Sequence, residues 1–468
     1  MSAAAAQLDH RLGFQTLSDE ATVDQLPVEG ALPPWLSGSL LRTGPARFEV
    51  GADHLRHWFD GYAMLHRFTI ADGGVSYGNR FLDSRSYRRA RETGRIAMGE
   101  FATDPCRSLY RRVQSLFSAP DLTDNGNVNI SRVGERFVAM TETPMPVQFD
   151  PRTLDSAGVA YTAPGQISTA HPHADHDDAM LNYAAKLGPR SSYRFFRVDP
   201  STATPTVIAS LPVKQPSYMH SFGLTERWFV LAEFPFVVNP LSLALSGRPY
   251  IENYRWKPEL GTRFTLVDRK SGESISGFRT DACFAFHHIN SYERDGEVVV
   301  DLCAFEDARI IEDLYLERLR AGTPLAQAVP TRFRLSLADR TVTREPLAAG
   351  GLELPRINYR RCNGRPYRYA WGNDTGAGGW LEKIARIDTE TGESTAWSQP
   401  GCYPGEPVFV AEPGAEAEDD GVLLSVVLDA QAESSFLLVL DAATLEPLAR
   451  AVVPHVIPLG FHGQFARA

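Results

Sequence analysis

No run of Lys or Arg interrupts this sequence, and 47 basic against 57 acidic side chains leave a net charge of −10. A nucleic-acid partner, which needs a basic face, is therefore not expected. Cysteine is scarce: Cys106, Cys283, Cys303, Cys362 and Cys402 are scattered, odd in number and without CxxC spacing. Such usage suits free thiols in a reducing compartment and argues against a disulfide framework or a thiolate metal site. A long apolar run is missing too. The most membrane-like window, "WFVLAEFPFVVNPLSLALSG", carries Glu233, Asn239 and two prolines, which argue against a spanning helix. The opening "MSAAAAQLDHRLGF" has neither a basic start nor a long apolar core, so no signal peptide is expected and the protein reads as cytoplasmic. Nor is there a recognisable nucleophile or acid–base motif. What remains is a globular composition, 43% hydrophobic and 22% charged, able to bury a large core.

Short β-rich runs alternate with turn residues along most of the chain, and one turn recurs. It is an Asp after an apolar-ended strand, followed by small, polar or glycine residues and another strand. It appears at Asp72, Asp150, Asp199, Asp268, Asp339, Asp388 and Asp441, at spacings of 49 to 78 residues. Asp at the head of such a turn accepts from backbone N–H groups two residues on. Repeats of four strands at about this period make propeller blades. The expectation is a seven-bladed all-β propeller formed by residues 1–468 as one domain, capped by helices and loops.

The repeat also orders the histidines. His171, His220 and His462 each lie 21 residues beyond an Asp turn, and His287 lies 19 beyond its own. If the turn closes the outer hairpin of a blade, that offset reaches the innermost strand of the next. Four of the twelve histidines would then converge on the axis. Four neutral imidazoles suit Zn, Cu, Fe or Ni. In "CFAFHHINSYE" neighbouring side chains on a strand point to opposite faces, so His288 should look away from the metal that His287 faces. His173 and His176 read as loop residues beside the ligand, and His54, His57 and His66 as packing or hydrogen-bonding groups. Glu406 lies 18 residues past Asp388, close to the histidine level.

The stretches "TAHPH", "MHSFGLTE", "FHHINSYE" and "GFHG", with "LLRTGPARFEVG", "HWFDGYAMLHRF", "TDNGNVNI", "TETP", "LPRINYRR" and "YPGEPVFV" between and around them, occur in an order that resembles the carotenoid cleavage oxygenases. The resemblance covers nearly the whole chain. It implies a propeller holding one non-haem ferrous iron on His171, His220, His287 and His462, with dioxygen as co-substrate and a lipophilic polyene as substrate. It also implies three carboxylates behind the ligands, Glu142, Glu353 and Glu406, and none on His171. Each would accept the free N–H of a metal-bound imidazole and offset the ion's charge. Similarity to the animal-type branch implies that Val128 crowds one open metal position. The reaction implied is cleavage of a carbon–carbon double bond to two carbonyl fragments. A retinoid isomerase of the same family shares the metal site and stays open as an alternative. Stilbene cleavers carry a lysine just before the first glutamate, where this chain has Thr141. A propeller serving as an interaction platform is the non-enzymatic alternative; it would not need four axial histidines.

A carotenoid enzyme should touch a bilayer. Within 103–118, "DPCRSLYRRVQSLFSAP" can start a helix at Asp104–Pro105 and sets Cys106, Leu109, Tyr110, Val113, Leu116 and Phe117 on one face, with Arg107, Arg111 and Arg112 as a basic flank. That is the pattern of an interfacial helix making peripheral membrane contact. The apolar 234–247 segment is a second candidate contact, and "ARIIEDLYLERLRAG" reads as a solvated cap helix.

Overall fold

A computed structural model describes residues 9–104, 122–175, 177–376 and 378–467. Its sheets form a seven-bladed β-propeller. The innermost strand of blade 1 is Gly463–Arg467, which pairs with Gly38–Arg47. Blades 2, 4, 5 and 6 begin with Asn129–Val133, Gly223–Leu224, Phe284–Arg294 and Glu353–Arg356. In blades 3 and 7 the inner strand is broken in two, as Ile167–Ser168 with His173–Ala174 and as Cys402–Pro404 with Val408–Ala411. Inner strands of adjacent blades touch one another, as Phe284–Arg294 does with both Gly223–Leu224 and Glu353–Arg356, and so they surround the axis.

Burial explains the strand sequences. Second and third strands are covered on both faces by neighbouring blades, and Glu297–Phe305 and Gly421–Asp429 are accordingly apolar almost throughout. The outer strand Val342–Pro346 is mostly exposed and reads "VTREP". The ring closes twice. Gly463–Arg467 completes blade 1 from the other end of the chain, and Val28–Gly30 pairs with Ala449–Ala451 at the rim of blade 7.

Each recurrent Asp either ends the third strand of its blade, as Asp268, Asp388 and Asp441 do, or lies between the third strand and the fourth. Asp150, Asp199, Asp268, Asp388 and Asp441 each accept from the N–H groups two and three residues on. Asp339 accepts from Thr341 N–H and its hydroxyl. Asp72 departs from the pattern. With Ala71 paired to Gly74, Asp72 and Gly73 form a two-residue turn at φ +50° and +73°, which the twist of a tight hairpin favours.

The stretch expected as one solvated cap helix is two short helices, Ile310–Asp313 and Leu316–Arg320. Its Ile310, Ile311, Leu314, Leu316 and Leu319 are buried in the core, since they fall on the side that roofs the axis. Pro240–Leu245 is a short helix capped by Asn239 and leaves Leu241 and Leu245 66% and 63% exposed. The expected interfacial helix at 103–118 lies outside the described residues apart from its first two positions, and so do Cys106, Leu109, Tyr110, Val113, Leu116, Phe117 and His176. Among the described residues no helix is long and apolar enough to cross a membrane.

Candidate metal centre

His287 reaches the axis because its strand is bulged. Ala285 pairs with Ala304 and His288 with Leu302, so one residue is extra there, and a second is extra before Asn290 pairs with Asp301. Bulges re-aim side chains. His288 turns the other way, its Nδ1 2.8 Å from the Ser221 hydroxyl, which in turn donates to Phe286 O. His171 stands in the gap between the two pieces of the blade 3 inner strand. His220 and His462 immediately precede inner strands, three residues and one residue before Gly223 and Gly463.

The ligand atoms of His171, His220, His287 and His462 all lie within 4.8 Å of one another. Four nitrogens around one ion at about 2.1 Å would span up to about 4.2 Å. Behind them, Glu142 Oε1 accepts from His220 Nδ1 at 2.6 Å, Glu353 Oε2 from His287 Nδ1 at 2.5 Å, and Glu406 Oε1 from His462 Nδ1 at 2.6 Å. Each carboxylate fixes one tautomer and leaves an Nε2 lone pair facing inward. His287 and His462 consequently set two lone pairs 3.1 Å apart, and His171 and His220 approach at 2.9 Å through Nε2. The His287 and His462 lone pairs repel unless a cation lies among them. The donor set fits a metal ion.

Burial holds the His171 imidazole well below its ordinary pKa, with His462, His220 and His287 acting in the same sense. Burial does likewise at His287, and lowers His462 to about 4 although Glu406 opposes it. These imidazoles are neutral at pH 7 and available as ligands. Burial raises Glu353 to about 7. Burial would raise Glu406 too, but Arg356 and then His462 overcome it and hold the carboxyl well below the usual range.

The remaining residues singled out from the sequence divide clearly. Val128 is buried, and its carbonyl accepts from His462 N–H at 3.1 Å. His57 and His66 are buried and hydrogen-bonded, to Ile311 O and the Tyr77 hydroxyl, whereas His54 is exposed. His173 lies in a short strand, held between Tyr359 and Phe222 O rather than facing the ligands from a loop. Two residues escaped the sequence reading. Tyr218 donates to Glu142 at 2.7 Å, and Arg356 donates to Glu406 at 2.9 Å and to Gly463 O. The available signal was proximity, Tyr218 two residues before His220 and Arg356 three after Glu353.

Three ligands and one glutamate line a cavity of ≈ 60 Å³ whose other walls include Phe59, Phe286, Phe305, Leu352 and Phe461. A larger cleft of ≈ 1500 Å³ lies at the surface among Arg197, Arg227, Arg269 and Glu226, charged walls unsuited to an apolar ligand.

Fold and site together define a propeller with four imidazoles converging on its axis in an arrangement that could hold a metal ion. The model of the family described as retinal pigment epithelial membrane protein matches residues 14–467. The chain is 37% identical to a mitochondrial carotenoid-cleaving dioxygenase of Macaca fascicularis, with 95% of this chain and 93% of that protein covered. It is also 37% identical to a carotenoid isomerooxygenase of Galleria mellonella, over 94% and 92% of the two chains. Among solved structures, a variant of Synechocystis apocarotenoid oxygenase superposes with a TM-score of 0.87 at 27% identity, covering 98% of each chain. The cobalt-substituted form of that protein matches equally well. The chain belongs to the carotenoid oxygenase family.

Proposed function

We propose that this protein is an iron(II)-dependent dioxygenase that cleaves one carbon–carbon double bond of a carotenoid or apocarotenoid into two carbonyl products. One observation supports it above others: three carboxylates hold three of four converging imidazoles. His171, His220, His287 and His462 are the proposed ligands. Ferrous iron, when bound, supplies the electrons that let triplet dioxygen react with a closed-shell alkene. The chain's own residues do the rest. Glu142, Glu353 and Glu406 orient the imidazoles and keep their Nδ1 protons in place. Phe59, Phe286, Phe305 and Phe461 exclude water and receive an apolar chain. Val128 crowds one side of the centre and directs oxygen to the other. Both atoms of O₂ enter product, one per carbonyl, so no side chain need take up or release a proton.

A polyene needs more than ≈ 60 Å³, since pockets for ligands of that size run to roughly 300–1,000 Å³. Substrate entry therefore requires the aromatic wall to part. Exposed Leu241 and Leu245 support peripheral membrane contact by the 234–247 segment, in addition to the interfacial helix proposed from sequence at 103–118.

The test is turnover of a panel of carotenoids and apocarotenoids by iron-loaded protein under ¹⁸O₂, read by mass. Two labelled carbonyl fragments are expected. A geometric isomer formed without cleavage would replace this reading with the isomerase one, and a zinc-replete protein indifferent to oxygen would end the oxygenase reading.

A further inference from the structure

At the seam between blades 1 and 7, in a cavity separate from the one beside the four imidazoles, Arg42 pairs with Gly463 and is buried. Among the described residues its side chain makes one hydrogen bond, Nη2 to Phe461 O at 3.1 Å. Its Nη1 has no partner among the described residues, and no ion pair to it is found there. The nearest acid by charge is Glu406, whose two oxygens are already taken by His462, Arg356 and Gly463 N–H. Two guanidiniums thus share one carboxylate. A buried charge with only neutral acceptors costs several kcal/mol, and arginine cannot escape by deprotonating.

The Arg42 head lines a cavity of ≈ 20 Å³, enough for one water-sized body. Glycines make the room. A Cβ on Gly405 would stand 2.8 Å from Nη1, and those on Gly44 and Gly460 would press the facing backbone at 3.2 and 3.3 Å. The other walls include Thr43, His66, Val426, Leu428, Ile457 and Leu459, and no carboxylate lines the cavity among the described residues. Burial keeps His66 at about 3, so it stays neutral.

We propose that this cavity binds a single small monovalent anion, of halide size, on Arg42 Nη1. The ion balances the second guanidinium and fixes Arg42 against the carbonyl of Phe461, the residue before His462. The site does not depend on which metal the axis holds.

Bromide is the probe. Crystals of the metal-loaded protein grown in sodium bromide should show an anomalous peak within hydrogen-bonding distance of Arg42 Nη1, absent in Gly405→Ala. In solution, chloride or bromide replacing gluconate at constant ionic strength should raise the wild-type Tm in proportion to the logarithm of halide concentration above Kd, by about 3 °C at a hundredfold excess. Gluconate is too large for the cavity. Density without anomalous signal, meaning water, would overturn the proposal, as would equal melting in halide and gluconate. The melting arm needs no variant and stands if Gly405→Ala fails to fold.

Discussion

His287 and His288 are chemically identical neighbours, and strand alternation, re-aimed by the bulge, assigns them different work. That difference is measurable as metal content. His287→Ala should lose most of its metal, because a ligand is gone, while His288→Ala should keep nearly all of it and lose some stability with the Ser221 contact. Glu142→Gln can still bond His220 through its amide oxygen but brings no charge, so metal affinity should fall roughly 10–100-fold with folding intact. Elemental analysis after dialysis against a weak chelator checks all three. Equal losses in His287→Ala and His288→Ala would refute the division of roles. Strand alternation made the pair readable from sequence. The bulge was not readable, because it depends on how the next strand registers.

The Asp turns are the element that revealed the blades, and their charge contributes stability of its own. The Ser201 hydroxyl, with the Thr202 and Ser201 N–H groups, holds Asp199 well below the usual carboxylate range. Ser336 and Thr341 hold Asp339 at about 2, and N–H groups of Ser271 and Lys270 with Arg227 lower Asp268. A carboxyl whose folded pKa is depressed stabilises fully above its unfolded value near 4 and loses that contribution as pH falls through the folded one. Asp199→Asn keeps an acceptor but has no charge to lose. Its Tm should lie below wild type at pH 6, with the gap narrowing as pH falls from about 4 toward 2 and closing only below the depressed folded pKa. A gap of unchanged size between pH 6 and pH 2 would mean that hydrogen-bond geometry, not charge, matters. Periodicity located these turns because a local rule dictates them. It misread 308–322 for the converse reason: helical periodicity shows an apolar face but not whether core or solvent meets it, and here the core does.

Across the whole molecule, successive inner strands or their approaches carry one singled-out residue each: His462, Val128, His171, His220, His287, Glu353 and Glu406 for blades 1 to 7. The four histidines follow from spacing alone, and spacing supports Glu406, which came with the resemblance. Glu353 and Val128 came from resemblance, since the Asp339 and Asp72 turns do not place them at the common offset. The array holds only if the ring is shut. Gly38, at φ +144°, lies where a Cβ would meet Ala466 O at 2.3 Å, inside the closing pair. Gly38→Ala should therefore cost about 2–4 kcal/mol and weaken metal binding, because His462 adjoins the strand displaced. Gly73→Ala, also at positive φ but with nothing within 4 Å, should cost only about 1–2 kcal/mol and leave the metal alone. Denaturant melts with metal analysis compare them; equal effects would show that closure and centre are uncoupled. The closing strand has a further consequence, in the order of synthesis. A ribosome making this chain releases His171, His220 and His287 long before His462, and with only three imidazoles the centre is incomplete until blade 1 receives its last strand. The imidazole set is thereby completed only after His462 and the strand Gly463–Arg467 have emerged, so capture of the metal proposed above cannot be complete before blade 1 closes.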